Sequence, residues 1–400
     1  MAVTSLASHK MRSFLTTLGI IIGVATVIAM MAIVNGVNGI VEGELSRIGA
    51  NVFYVMKFPA VRISFDWRKY HKRPNLNLDD ARAIKERIPT IRVVSPELWT
   101  PGNQVRTGEK STDPNVTAIG AEEGFLEING LNLEEGRFFL PQEVAARRKL
   151  CLLGVDVVER LFPYISPIGR DIRIGPDQYE VIGVIEKRGV IFGESQDNIV
   201  VLPLGNLIAK FKEREDMSIG VQTQPGASVS KAIDAVRNLM RIRHKLTPSD
   251  EDDFELETRD TIMSAYQNMT GSIFAAAIGI AAISLIVGGI GIMNIMLVSV
   301  KERTREIGIR MSIGARRKDI RNQFLVEAVA LSISGGILGV FLAIGGLYAA
   351  VKFYPTLPMQ INLSHIALAV IFSMLVGIFF GVWPARRAAA LDPIECLRYE

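Results

Sequence analysis

Four long apolar segments limit the fold of this chain more than any other feature. The segments lie at 14–36, 271–300, 324–351 and 364–383. An α-helix needs about 20 largely apolar residues to cross a lipid bilayer, and each segment reaches that length. We therefore predict an integral membrane protein with four transmembrane α-helices.

The residues between the first two segments have the composition of a water-soluble domain. The 400-residue chain is 49% hydrophobic, but 22% of its residues are charged, which excludes burial of the whole chain in lipid. Residues 37–270 mix β-branched runs with helical patterns, which predicts a large α+β extracytoplasmic domain inserted between the first and second spans. This domain is either one body or two lobes, in which case the break falls among the Gly-, Pro- and Asn-rich residues of 101–115.

Several short patterns in this domain predict individual elements. Runs of β-branched residues bounded by glycine or proline predict strands at 181–185, 199–202 and 219–223. Asn77 is the predicted N-cap of a helix that ends before Pro89, and Ser228 is the predicted N-cap of a second helix. A shorter helix is predicted at 156–162.

The distribution of basic residues predicts the orientation in the membrane. The short segment 301–323 holds eight Lys/Arg against three Asp/Glu, whereas the loop 352–363 holds only Lys352. Basic residues in short loops are retained in the cytoplasm, so we expect 301–323 and both termini there and 37–270 outside. The chain is then a multi-pass protein of the cytoplasmic (inner) membrane, and its excess of basic residues does not require nucleic-acid binding as an explanation.

The predicted order is a cytoplasmic stub (1–13), the first span (14–36), the extracytoplasmic domain (37–270), the second span (271–300), a cytoplasmic coupling helix or loop (301–323), the third span (324–351), an external loop (352–363), the fourth span (364–383) and a cytoplasmic tail (384–400).

The first apolar segment shares a basic flank with cleaved signal peptides. Those peptides have an apolar core of about 7–15 residues and then a small-x-small cleavage site. Segment 14–36 is longer, and no such site follows it. We expect an uncleaved membrane anchor.

No pattern in the chain indicates catalysis, so we predict no catalytic residue and no metal site. The four histidines are scattered, and no His-Glu-x-x-His or Gly-x-Ser-x-Gly motif occurs. Cys151 and Cys396 fall on opposite sides of the membrane in this topology, which excludes a disulfide or a shared metal site, and Cys151 is expected to be an inert buried thiol. The acidic run 250–253 lacks the spacing of a calcium loop, and it and the basic run 147–149 are expected to be solvated.

The sequence also lacks a nucleotide-binding motif. No Gly-x-x-x-x-Gly-Lys-[Ser/Thr] phosphate loop occurs in the 400 residues. If the protein performs ATP-driven work, we expect ATP and Mg²⁺ on a separate ATPase subunit and no cofactor on this chain.

Each apolar segment carries a pair of small residues four positions apart. The pairs are Gly19 and Gly23, Ser284 and Gly288, Gly335 and Gly339, and Gly377 and Gly381. Such pairs let helix backbones approach closely in lipid, although glycine is also simply common in transmembrane helices. Their presence in all four segments favours a packed helix bundle, within one chain or between two.

Glu327 is the only acid inside an apolar segment. An acid within the membrane is a candidate functional residue. It lies about one turn from the predicted cytoplasmic boundary, so pairing with Arg321 or a neighbouring basic residue is favoured over proton relay. The middle of the spans offers only Asn294 and a few Ser/Thr, so we do not expect a substrate to pass through them.

The basic segment 301–323 has the pattern of a short helix at the membrane surface. Glu302, Glu306 and Arg310 follow at four-residue steps, and Gly308 and Gly314 punctuate the segment. A helix there, with no large cytoplasmic domain beside it, indicates a docking element for a partner protein.

Three separated segments carry a resemblance to a known family. They are residues 9–24 (HKMRSFLTTLGIIIGV), residues 300–328, which begin VKERTREIGIR, and residues 384–400, which begin PARRAA. Together they resemble the permeases of macrolide-exporter-type (MacB-like) ABC transporters in the FtsX-like permease superfamily. The resemblance covers all four spans and their flanks.

The resemblance implies a homodimer or pseudo-dimer whose outer domains stand on stalks formed by the first two spans. Segment 301–323 would be the coupling helix on the ATPase subunits, and ATP binding would move the outer domains without passing substrate through the membrane (mechanotransmission). The name-giving exporter has its ATPase fused before the first span, where this chain has 13 residues, so a separate ATPase subunit is expected. The implied ATPase-coupling residues are Glu302, Arg303, Arg305, Glu306, Ile307, Gly308, Arg310, Gly314, Ala315 and Arg316.

The leading hypothesis is therefore a permease subunit that drives export of an antibiotic, peptide or lipoprotein from the outer side of the membrane. Its expected partners are an ABC ATPase, a second copy of the chain, a membrane-fusion-protein adaptor and membrane lipid. An alternative is a transmembrane signal transducer that regulates an extracellular cell-wall enzyme. A stand-alone channel or carrier is the poorest fit.

Overall fold

The computed structural model describes residues 10–47, 49–61, 70–191, 193–211, 216–353 and 359–398. The chain divides into two compact units, which we call the helical unit (Met1–Gly39 with Met269–Glu400) and the inserted domain (Ile40–Asn268). The helices are α1 (Lys10–Arg47), α2 (Leu78–Arg87), α3 (Phe125–Ile128), α4 (Pro141–Ala145), α5 (Val155–Leu161), α6 (Leu204–Phe211), α7 (Val229–Arg243), α8 (Arg259–Glu302), α9 (Thr304–Ser312), α10 (Arg317–Phe353), α11 (Leu363–Ala389) and α12 (Pro393–Arg398). The strands are β1 (Val52–Met56), β2 (Ile91–Asn103), β3 (Val105–Thr107), β4 (Lys110–Ser111), β5 (Val116–Ala121), β6 (Leu133–Gly136), β7 (Leu150–Leu153), β8 (Asp171–Ile174), β9 (Asp177–Ile185), β10 (Val190–Ile191), β11 (Glu194–Ser195), β12 (Ile199–Pro203), β13 (Met217–Thr223) and β14 (Glu255–Thr258).

Four helices among the described residues are long and apolar enough to cross a membrane: α1, α8, α10 and α11. They confirm the predicted architecture of four spans with an α+β domain between the first and the second. Helix α8 has 44 residues, about 66 Å at 1.5 Å per residue, which is twice the thickness of a bilayer core. Helix α10 begins at Arg317, seven residues before the predicted start of the third span at 324.

The small-residue pairs pack helices of one chain against each other. A Cβ atom added to Gly19 in α1 would lie 2.9 Å from the Cα atom of Gly288 in α8. A Cβ atom added to Gly339 in α10 would lie 2.9 Å from the carbonyl oxygen of Ile21, and one added to Gly381 would lie 2.5 Å from the Cβ atom of Ala328. No larger side chain fits at these contacts, so the glycines permit the close approach of α1, α8, α10 and α11.

The other members of these pairs make contacts of the same kind. An added Cβ atom would meet Leu285 from Gly23, Ile20 from Gly335 and Ser332 from Gly377, and the carbonyl oxygen of Ser284 lies beside Gly19. The chain thus uses these residues for packing within itself.

The described residues of the inserted domain form a 12-stranded mixed sheet with helices against it. The order along the sheet is β14-β1-β13-β2-β5-β12-β7-β9-β8-β3-β4, and β6 pairs with β9. The pairs β5–β12 and β7–β9 are parallel and the others are antiparallel. Residues 101–115, the segment considered as a break between lobes, contribute to strands β2, β3 and β4 of this sheet.

The predicted helices and strands of this domain are confirmed. The side chain of Asn77 accepts a hydrogen bond from the Asp80 backbone N at 3.1 Å and caps α2, and Ser228 caps α7. Strands β9, β12 and β13 contain the three predicted β-branched runs, and α5 matches the predicted short helix. Cys151 is buried in the core, and this burial raises the pKa of its thiol well above the ordinary value.

The expectation that acidic residues 250–253 form a solvated loop is wrong for two of them. Asp252 pairs with Arg241, and Asp253 lies 2.7 Å from the Nδ1 atom of His244. Both partners lie at the end of α7, and Arg237, one turn before Arg241, also pairs with Asp252 at 3.2 Å. The two carboxylates therefore fasten the segment before β14 to α7, and the described residues hold no group of three or more metal-ligating side chains.

Candidate functional site

The candidate site is the connector between the second and third spans, which we define as residues 303–316. Helix α8 ends at Glu302, α9 covers Thr304–Ser312, and α10 begins at Arg317. Gly314 ends the turn after α9 with a φ of 105°, a backbone conformation that L-residues with a side chain rarely adopt. Asp319 then accepts a hydrogen bond from the backbone N of Arg316 at 3.0 Å, which caps α10. The connector is thus a helix held between two turns.

Arg303 joins the start of the connector to the third span. Its guanidinium donates to Glu327 Oε1 at 3.0 Å and to Glu306 Oε2 at 2.8 Å, and it lies 5.5 Å from the ring centre of Phe324. One planar group with five donors can serve both carboxylates at once. The junction of α8 and α9 is therefore tied to α10.

The partner of Glu327 is Arg303, so the prediction of a basic neighbour is confirmed, but Arg321 is not that neighbour. Arg321 precedes Glu327 by six residues on the same helix, and side chains face each other at three or four residues. Arg321 instead contacts Asn322. Glu327 is used as an anchor of the connector.

Arg310 makes a second tie between α9 and α10. It pairs with Glu306 one helical turn earlier, as the i,i+4 spacing predicts, and its Nη1 donates to Gln323 Oε1 at 2.7 Å. The hydrogen bond from Arg303, aided by the charges of both arginines and opposed by partial burial, lowers the pKa of Glu306. Glu306 is therefore ionised at neutral pH and held between two guanidinium groups.

The C-terminal helix α12 packs on α9, a contact that sequence reasoning missed. A Cβ atom added to Gly308 would lie 2.5 Å from the Cβ atom of Cys396, which is buried. Asp392 accepts a hydrogen bond from the backbone N of Ile394 at 2.8 Å, and Pro393 is the first residue of α12. The signal was present as Asp392-Pro393, which is a typical helix start, but its partner was not readable.

Helices α9 and α12 and the turn after α9 carry exposed apolar side chains. Ile313 is 81% exposed and Ile394 is 70% exposed, and Ile309 and Leu397 are exposed as well. Basic side chains of Arg305, Arg316, Arg317 and Lys318 are exposed in the connector and at the start of α10. We call these four apolar and four basic residues the outward face; exposed apolar residues with a polar rim are typical of protein-binding surfaces.

The ten predicted coupling residues divide between these two roles. The side chains that build the connector and tie it to α10 and α12 belong to Arg303, Glu306, Ile307, Gly308 and Arg310, with Ala315 packed on the same apolar cluster. The exposed residues are Glu302, Arg305, Gly314 and Arg316. The arrangement thus combines a helix that is fixed to α10 and α12 with a set of exposed residues beside it.

Two family models match the chain. Residues 13–239 match the MacB-like periplasmic core domain, and residues 278–393 match the FtsX-like permease C-terminal domain.

Curated relatives align along nearly the whole chain. The macrolide export ATP-binding/permease protein MacB of Bdellovibrio bacteriovorus is 36% identical over 99% of this chain and 60% of its own length. The protein of the same name from Chlorobaculum tepidum is 36% identical over 100% of this chain and 61% of its own length. The chain thus spans about 60% of the length of these relatives. The crystal structure of the periplasmic region of MacB from Actinobacillus actinomycetemcomitans aligns at 20% identity with a TM-score of 0.47, covering 57% of this chain and 98% of that one.

Proposed function

The chain belongs to the family of MacB-like, FtsX-like ABC transporter permeases, and we propose that it converts ATP binding and hydrolysis on a separate ATPase subunit into movement of its extracytoplasmic domain. The family makes it a multi-pass membrane protein with an extracytoplasmic domain. We place both termini and the connector in the cytoplasm, because basic residues concentrate there. ATP and Mg²⁺ belong to the ATPase subunit, because these 400 residues hold no phosphate loop.

The tie between Arg303 and Glu327 is the observation that carries the proposal. A partner docked on the outward face pushes on α9, and α9 is fastened to α10 by Arg303 and by Arg310. Two charge-assisted contacts resist sliding of α9 along α10, so the push reaches the spans. This is what a coupling element requires.

The composition of the spans supports transport outside the membrane helices. Among the described residues of the four apolar segments, Glu327 is the only Asp, Glu, Lys or Arg, and Arg303 neutralises it. A path for a polar substrate through the spans needs polar groups at mid-depth. We therefore propose that the substrate, an antibiotic, peptide or lipoprotein, is moved from the outer side by a dimer of this chain with a membrane-fusion-protein adaptor.

The test is stimulation of the ATPase subunit that co-purifies with this chain from its native membrane. The two proteins are reconstituted in nanodiscs, and Ile313→Asp is compared with Ile242→Asp, a matched change at an isoleucine of α7 that is 72% exposed. We expect Ile313→Asp to weaken the complex roughly tenfold or more and to abolish stimulation, because a carboxylate would enter an apolar contact. Ile242→Asp should behave as the unchanged chain.

Equal stimulation by both variants would refute docking on the outward face. Arg310 and Gly308 are unsuitable for this test, because their side-chain and packing contacts hold the connector together.

A further inference from the structure

A polar cavity lies in the inserted domain beside the β10–β11 hairpin, and the proposed function gives it no role. Its volume is about 510 Å³, within the range of about 300–1,000 Å³ that is typical of small-molecule sites. Trp99 and Phe125 form an aromatic part of its wall. A Trp that is 43% exposed at a cavity is an unusual use of a large apolar side chain.

Side-chain amides form much of the rest of the wall. They belong to Asn115, Asn129, Gln196 and Asn198. A carboxamide offers both donors and an acceptor, as a hydroxyl group does, so an array of amides suits a ligand with several hydroxyl groups. The ionised groups of the wall are Asp156, Glu194 and Arg188, which gives an excess of negative charge and disfavours an anion.

The aromatic wall is fixed before any ligand arrives. The Nε1 atom of Trp99 donates to Glu97 Oε2 at 3.2 Å, and Glu97 is buried behind it. The ring centres of Trp99 and Phe125 are 6.4 Å apart, within the distance at which aromatic rings attract each other. Since its N–H is already engaged, the exposed part of Trp99 can offer only its apolar, electron-rich surface.

The amide of Asn129 is fixed by the same carboxylate. Its Nδ2 donates to Glu97 Oε1 at 2.7 Å, and its Oδ1 accepts from the hydroxyl of Tyr54 at 3.3 Å. Asn198 likewise donates to Asn115 Oδ1 at 3.0 Å. Side chains that are already oriented lose little conformational entropy on binding, which favours affinity.

Arg188 also lines the cavity, and one of its donors lacks a protein partner. Its Nη2 donates to Glu44 Oε2 at 2.6 Å, but its buried Nε has no hydrogen-bond partner in the described part of the chain. Buried donors are nearly always satisfied in folded proteins, by protein atoms, water or a ligand. Because this Nε is buried, a molecule in the cavity does not reach it, and Arg188 contributes only its charge to the wall.

We propose that this cavity binds a neutral carbohydrate of one or two sugar rings. The C–H face of a sugar ring packs on the exposed face of Trp99, and the carboxamides of Asn115 and Gln196 exchange hydrogen bonds with its hydroxyl groups. The amide of Asn129 donates to Glu97 and to the carbonyl oxygen of Phe125, so it can only accept from the sugar. The binding is non-covalent and does not depend on ATP. It stands on the inserted domain alone, so it can hold or fail whether or not the chain is a coupling subunit.

The test is calorimetric titration of the full-length chain in phosphatidylcholine nanodiscs prepared without sugar-based detergent. The probes are maltose and N,N′-diacetylchitobiose, each raised to about 50 mM, which covers dissociation constants in the millimolar range. We expect saturable binding of at least one sugar, and we expect Trp99→Ala to weaken it roughly tenfold or more.

Two further variants separate a loss of binding from a loss of folding. Gln196→Ala removes an amide of the wall and should weaken binding while leaving the melting temperature unchanged. Trp383→Ala removes a tryptophan outside the inserted domain and should leave binding unchanged.

Absence of saturable binding of both sugars would overturn the proposal. The proposal would also be overturned if Gln196→Ala and Trp99→Ala bound the sugars as tightly as the unchanged chain does. Tight binding of inorganic phosphate in place of the sugars would overturn it as well.

Discussion

Arg303 and Glu327 lie 3.0 Å apart and link the residue that follows the second span to the first turns of the third. Both side chains are largely shielded from water, and Arg303 also serves Glu306, whereas Glu327 has hydrogen bonds only from Arg303 among those found in the described chain. The pair is therefore asymmetric: each partner depends on the other to a different degree.

This asymmetry predicts that Arg303→Ala is more harmful than Glu327→Ala. Loss of Arg303 leaves a shielded carboxylate without its partner, which costs about 3 kcal/mol or more, whereas loss of Glu327 leaves Arg303 paired with Glu306. Thermal unfolding in nanodiscs measures the difference. Arg321→Ala, at an exposed basic residue of the same helix, should have no effect; equal melting temperatures for Arg303→Ala and Glu327→Ala would contradict the assigned roles.

Gly308→Ala is expected to loosen α12 from α9. The new methyl group would overlap the Cβ atom of Cys396, so the two helices must separate. The readout is the rate at which Cys396 reacts with a maleimide in a Cys151→Ala background, because a buried thiol reacts slowly. We expect a several-fold faster reaction.

A matched change in the same background is Gly314→Ala, which lies in the turn where an added Cβ atom meets nothing within 4 Å, although alanine is strained at the positive φ of this position. It should leave the thiol protected. If Gly308→Ala does so too, α12 does not depend on the contact at Gly308.

The inserted domain should lose stability as the pH rises toward neutrality because of Glu97. Burial, opposed by hydrogen bonds from Asn129 and Trp99, raises the pKa of Glu97 from 4.5 to about 7. The folded state then binds the proton more tightly than the unfolded state. The contribution of Glu97 to the free energy of unfolding is fully present below pH 4.5 and is lost as the pH rises through about 7. The loss is on the order of 3 kcal/mol.

Glu97→Gln is expected to remove this dependence. The carboxamide keeps an oxygen for the Asn129 amide but cannot ionise, so the variant should be the more stable protein at pH 8. Melting curves at pH 5, 6, 7 and 8 test this, and a parallel pH profile for the variant and the unchanged chain would argue against a raised pKa at Glu97.

Gly19→Val is expected to destabilise the helical unit by about 1–3 kcal/mol, the usual cost of overpacking. The added side chain would collide with the backbone of α8 at Gly288. Gly279→Val is a matched control in a neighbouring span, because an added Cβ atom there meets nothing within 4 Å. Comparable melting temperatures for the two variants would show that α1 and α8 are not packed at Gly19.

The four spans and the capped helices of the inserted domain were predictable because their signals are local. A run of about 20 apolar residues predicts a membrane span without further information. Asn77 three positions before Asp80 likewise predicts the start of a helix. The partners of Glu327 and Gly308 were not predictable in the same way. The partner of Glu327 is Arg303, which follows the end of α8, and the partner of Gly308 is Cys396 in α12. Packing of the whole bundle decides which surfaces of these helices meet.

The polar cavity was the least predictable feature. Glu97 lies in a strand where alternation alone does not say which polar residue is buried. Asn129 and Arg188, which line the cavity, are 32 and 91 positions further along the chain. The acidic residues 252 and 253 illustrate the same limit. Their composition predicts exposure to water, but in the structure they pair with Arg241 and His244.

Helix α8 contains no proline and continues without interruption from Arg259 to Glu302. In such a helix each residue adds 100° of rotation about the axis and 1.5 Å of rise, so the azimuth of every side chain is fixed by counting from any other. One extra residue between Gly288 and a side chain nearer the start of this helix would turn that side chain by about 100° relative to Gly288, whereas seven extra residues, close to two full turns, would nearly restore the phase. The length of this helix therefore fixes the angle between its side chains as well as their distance. Insertions of whole turns should be tolerated far better than insertions of single residues.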